Sequence, residues 1–156
     1  MKVPRLALFC FASALFGALQ AVAGEMVELS VETVLATNSP QESGNKESDN
    51  RLTDDIRRQL NEFRFSSYRL VQEERRRVNW GKQADFFLPG GRFLQVVPKK
   101  YIDERIALQV MLMEGTSPTP LVETLLTIRN HGTVYFAGRK HQGGTLIIRI
   151  GAVTDE

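Results

Sequence analysis

Cysteine occurs once in this 156-residue chain, at Cys10, and nothing after it carries a thiol. That absence excludes a disulfide framework, a thiolate nucleophile and a cysteine-ligated metal from everything downstream. Histidine is almost as scarce, with His131 and His141 alone. They flank a short expected strand, Thr133–Ala137, and extended geometry then keeps them roughly 17 Å or more apart, too far to ligate one zinc ion. No Gly-x-Ser-x-Gly elbow is present to expose a serine nucleophile. Asp103 and Glu104 are neighbours, so on a strand they point to opposite faces and cannot flank one glycosidic bond. Gly90-Gly91 and Gly143-Gly144 lead into strands, which lack the helix-end amides that cradle a phosphate. The expectation is a protein with no catalytic residue, no cofactor and no metal.

A long hydrophobic run is found only at the start. Leu6 to Leu19 is largely apolar, Lys2 and Arg5 precede it, and Ala21-Val22-Ala23 closes it with small residues. This is the layout of a secretory signal peptide cleaved after Ala23, and it implies a periplasmic or secreted address. The run falls short of the about 20 residues of a membrane span, so no span is expected once it is removed. Lys2 and Arg5 also account for the whole excess of 20 basic over 18 acidic residues, since the first 23 positions hold no acid. The remaining chain is neutral, which argues against nucleic acid or anionic lipid as its partner. About 133 residues suffice for a single domain, 24–156, that buries about two thirds of its unfolded surface without covalent staples.

Within that domain the apolar residues recur at period two almost everywhere. Val27, Leu29, Val31 and Thr33 alternate with polar residues over Met26–Leu35, a half-buried strand. Thr37–Asn50 contains no large apolar residue and reads as a solvated, inert loop. The period then changes: Leu52, Ile56, Leu60 and Phe63 form one helical stripe over Asn50–Glu62, with Asp49 as N-cap and Asp54 and Asp55 at the positive end of the helix dipole. Seven further strands are expected at Ser66–Arg76, Ala84–Leu88, Arg92–Val97, Arg105–Met113, Leu121–Ile128, Thr133–Ala137 and Thr145–Ala152. In the first of these Tyr68, Leu70 and Gln72 share one face and Arg69, Val71 and Glu73 the other. Turn signals separate them at Pro89-Gly90-Gly91, Thr116–Pro120, Asn130-His131-Gly132 and Gly138–Gly144. The fold class is therefore α+β, mainly an antiparallel sheet or sandwich, with one amphipathic helix near the N-terminus of the mature chain.

Arg69, Arg75, Arg76, Arg77, Trp80 and Phe87 are the candidate partner surface. The arginine run with Glu73 and Glu74 reads as a charge-laced strand edge, Arg69 to Arg77, open to β-addition by another protein. A polyanion would be the alternative ligand of Arg75 to Arg77. Of the neighbours Phe86 and Phe87, one ring must face away from the core and marks a contact surface if nothing covers it. A second expectation is a small-ligand or enzyme pocket between the helix and the sheet, lined by Tyr68, Trp80 and Tyr101.

The order of these pieces carries a resemblance. Strand Val27–Leu35, the polar loop, Asn50-Arg51-Leu52, Phe65-Ser66-Ser67-Tyr68-Arg69-Leu70, Phe87-Leu88-Pro89-Gly90-Gly91-Arg92 and Gly144-Thr145-Leu146-Ile147-Ile148-Arg149-Ile150 together resemble an uncharacterised family of small exported bacterial proteins, a domain of unknown function. The resemblance implies a bacterial envelope address and transfers no functional residue. Thr127 to Gly138 is also similar to a strand-Gly-strand-Gly segment of the secretin domain of outer-membrane secretion channels, though this chain lacks the second glycine after Gly138. That likeness implies association with a secretion or pilus system. The expected function is a non-enzymatic exported module that binds or scaffolds other envelope proteins.

Overall fold

The computed structural model describes residues 26–38 and 49–155. The expected signal peptide, 1–23, and most of the expected polar loop, 37–50, lie outside the described residues. The elements run β1 (Met26–Thr37), α1 (Asp54–Leu60), β2 (Ser67–Asn79), β3 (Ala84–Leu88), β4 (Arg92–Ile102), β5 (Arg105–Glu114), β6 (Val122–Arg129), β7 (Thr133–His141) and β8 (Gly144–Thr154). Every paired neighbour is antiparallel, in two four-stranded sheets of order β2-β1-β8-β7 and β3-β4-β5-β6.

Followed around the molecule, this order is simply β1 through β8 and back to β1. It is the path of an up-and-down barrel, flattened into a sandwich, in which β2 and β3 share no ladder and neither do β6 and β7. Alternation explains the filling. Leu29 and Val31 of β1 and Ile148 and Ile150 of β8 meet Phe86, Val96, Ile106 and Leu108 of the other sheet in one buried cluster. The inward residues predicted in β5, Ile106, Leu108, Val110 and Leu112, are all buried.

The described residues are thus mainly antiparallel sheet with one helix, but the helix is the second described element and does not lie near the N-terminus. It is also shorter than predicted. Asp49 is not its cap: the Asp49 carboxylate is occupied by the backbone N–H, Nε and Nη2 of Arg51, and Thr53 caps instead, its hydroxyl accepting from the Ile56 amide at 3.5 Å. The predicted stripe keeps its role beyond the helix ends. Leu52, Ile56 and Leu60 are buried on the outer face of the first sheet against Val34, Ala36, Tyr68, Leu70 and Ile147, with Phe63 packed beside them.

Two strands change phase in a way period two does not register. In β2, Leu70 pairs with Val34 and Gln72 with Thr33, so Val71 is an extra residue, a β-bulge. Tyr68 and Leu70 therefore face the helix while Gln72 faces the other side, which corrects the predicted common face. In β7 the register shifts between Ala137 and Arg139, and the strand continues to His141 where a loose connection was predicted. Asp103 and Glu104, predicted to begin a strand, instead form the two-residue turn between β4 and β5, with φ of 52° and 59°. Strand β4 runs through Pro98 because β3 begins only opposite Val96, so the missing amide breaks no ladder on that side.

Candidate functional site

The corner from β6 to β7 decides what the second seam looks like. Asn130 does not extend a ladder there: its side chain donates to the Thr154 carbonyl at 2.9 Å and accepts from the Thr154 amide at 3.0 Å, pinning the corner to the end of β8. His131 adopts φ of 62°, and a Cβ on Gly132 would stand 2.7 Å from the Arg129 carbonyl oxygen, so only glycine fits. The chain thereby leaves one sheet and enters the other without closing backbone bonds between β6 and β7.

From that corner the two strands separate. On the inward face of β6, Ile128 is buried, Leu126 and Thr124 are half-buried, and Val122 at the far end is 43% exposed. An apolar cavity of about 110 Å³ lies where the strands part, lined by Leu94, Val110, Leu112, Val122, Phe136, Ala137, Leu146 and Ile148. On the outward face Leu125 is 69% exposed, and Leu121 just before the strand is exposed as well. Among the described residues β6 is paired with β5 on one side only, so its other row of N–H and C=O groups meets no described strand. The sequence does carry a trace of this. Leu121 and Leu125 are both apolar on the face of the expected strand that alternation assigns to solvent.

The predicted surface residues are distributed differently. Beyond the bulge, Arg75 and Arg77 stand on the outer face of the first sheet and are paired with Glu73 and Glu28, each at 2.9 Å. Arg76 turns the other way, toward the β2–β3 seam, where it binds Glu74 at 3.2 Å and lies over the Phe86 ring at 5.7 Å. Gln72 crosses the same seam to donate to the Phe87 carbonyl at 2.7 Å. Side chains thus fill the edge of β2. Trp80 is half-buried against the core between the sheets, and its indole N–H is buried without a partner. Arg69 is exposed before the bulge, on the face opposite Tyr68 and Leu70, and Phe87 is 66% exposed on the outer face of the second sheet. The six residues therefore do not form one patch. Phe86 is fully buried beside Phe87, so the two rings part as alternation requires.

Tyr68, Trp80 and Tyr101 do not line one pocket either. Tyr68 belongs to the helix-side cluster, and its hydroxyl donates to the carbonyls of Leu60 at 2.8 Å and of Phe63. Trp80 and Tyr101 pack on the cluster between the sheets. Next to the helix lies a polar group that the sequence reading overlooked. Arg149 Nη1 bonds Glu32 Oε1 at 2.8 Å, and its Nη2 stands 3.9 Å from Asp55 of the helix. Tyr135 donates to Gln59 of the helix. Glu32 is only 5% exposed; its Oε2 and the Arg149 Nε have no partner. Burial pushes the Glu32 carboxyl up from its ordinary value, and Arg149 opposes this only in part. The group ties helix to sheet. His131 sits at the β6–β7 corner and His141 at the far end of β7, beside Gly90 of the β3–β4 turn. Among the described residues no three His, Asp or Glu side chains gather as metal ligands, and no helix is long and apolar enough to cross a membrane.

No protein family matches this chain, and no curated protein matches it.

Proposed function

We propose that the protein is an exported, non-enzymatic binding module that takes an extended segment of another envelope protein along strand β6. The observation that carries the reading is a strand edge with no partner among the described residues, bordered by the exposed Leu121, Val122 and Leu125. Exposed backbone groups supply affinity in β-addition and nearby apolar contacts supply selectivity. The edge of β2 is the weaker candidate, because Gln72 and Arg76 already occupy it. The amino-terminal run fits delivery to the periplasm or beyond, and the likeness of Thr127 to Gly138 to a secretin segment favours a partner in a secretion or pilus system.

Two measurements test this. The protein recovered after export should begin at Gly24, read by amino-terminal sequencing; a chain still starting at Met1 contradicts the export step. Tagged protein should retain one or more envelope proteins that Leu125→Glu releases while Arg75→Glu does not. Equal retention by both variants would remove β6 from the account.

A further inference from the structure

We infer that the slot between β6 and β7 is a receptor for one aromatic or branched aliphatic side chain of an extended polypeptide, an inference that rests on the edge-binding reading above. Size sets the first limit. At about 110 Å³ the slot is somewhat smaller than an engineered apolar cavity of about 150 Å³ that takes benzene. Open at the seam, it need enclose only part of one ring or the end of a leucine, and it is too small for a lipid tail or a fused-ring cofactor.

Lining sets the second limit. Leu94, Val110, Leu112 and Ile148 close the slot within the sandwich, with Val122 and Phe136 contributed by the two parting strands. Every one of these side chains is apolar, so a free polar metabolite would lose its hydration there with no compensating bond. Hydrogen-bonding groups are instead on the rim, as the unpaired backbone of β6. A ligand that matches both must be apolar where it enters and must offer amides and carbonyls alongside. An added strand does so. Its side chains alternate, so every second one points between the sheets while its backbone lies about 4.8 Å from β6. The slot has room for one of them, which makes a single position of the partner the selective one.

The test uses the methyl-labelled protein from full-length expression, with toluene as one probe and two pentapeptides as others. These are acetyl-Thr-Thr-Phe-Thr-Thr-amide and the same peptide with serine in place of phenylalanine. Toluene should shift the methyl resonances of Val110, Leu112 and Ile148 saturably. Val122→Trp, at a position exposed enough to tolerate a ring, should abolish that shift, and Val122→Ala should keep it. The phenylalanine peptide should displace toluene and bind about tenfold or more tighter than the serine peptide, the ratio expected from burying one ring. Absence of a saturable toluene shift, or its survival in Val122→Trp, overturns the slot as a receptor whatever the peptides do. Toluene binding with two peptides of equal affinity overturns the selective side chain. Toluene binding with neither peptide bound overturns the edge-binding reading and leaves a pocket for a small apolar molecule.

Discussion

Glu32 shows how little one side chain's neighbours in sequence say about its surroundings. Alternation assigns it to the polar face of β1, and the face is correct. Yet helix α1 covers that face at this point, and the carboxylate ends up buried against Arg149. The coverage comes from residues far along the chain, so local period could not reveal it. The pH consequence follows from the direction of the shift. The Glu32 carboxyl is raised in the folded protein, so the folded state holds its proton more tightly than the unfolded chain. The stability this contributes is full below the ordinary carboxyl value of 4.5 and is lost as pH rises through the raised value. At neutral pH the buried carboxylate depends on Arg149. Arg149→Met should therefore cost about 3–5 kcal/mol in urea unfolding at pH 7, the range for stranding one partner of a buried pair. The loss should shrink on acidification as Glu32 takes up its proton. An equal loss at pH 7 and at pH 5 would contradict the assignment.

At the level of elements, the helix stripe was the most legible feature and its boundaries the least. Leu52, Ile56, Leu60 and Phe63 all pack where their spacing puts them, although only Ile56 and Leu60 are helical. The helix begins only at Asp54, which puts Thr53 in the cap position, while Asp49 binds Arg51, whose hydrogen bonds and charge hold the Asp49 carboxyl down at about 2. The far end of the helix is closed by the sheet, through the Tyr68 hydroxyl on the Leu60 and Phe63 carbonyls. Tyr68→Phe should cost about 0.5–1.5 kcal/mol in denaturant unfolding, the loss of a hydrogen bond to carbonyls that keep their backbone donors Phe63 and Phe65, with the fold retained. A change within error would show that the hydroxyl adds nothing to the backbone bonds that already close this end. The β2 bulge was not legible at all. No glycine or proline marks Val71, and the insertion is fixed by pairing with β1, which sends Leu70 to the helix and Gln72 to the seam. The arginine run, past the bulge, is instead divided by plain alternation. Folded, it divides between the outer face and the seam.

Over the whole molecule, eight strands in cyclic order leave two seams, and the two are managed differently. At β2–β3 long polar side chains span the gap, with Gln72 on the Phe87 carbonyl and Arg76 over the Phe86 ring. At β6–β7 no comparable bond is made among the described side chains, and an apolar cavity lies there. The strand inventory was readable from alternation and turn residues, because each strand buries one face. The seams were not, since the same pattern would serve a closed barrel, and only the Asn130 bonds to Thr154 show that the corner leads away from a β6–β7 ladder. An edge kept free in this way is an aggregation hazard unless something uses it. Residue-resolved amide hydrogen exchange on the protein without a partner tests this most directly. The amides of β5, and the alternate amides of β6 that bond it, should be protected, while the remaining amides between Val122 and Leu126 exchange orders of magnitude faster. Uniform protection along β6, equal to that of β5, would mean the edge is already satisfied and would contradict the account.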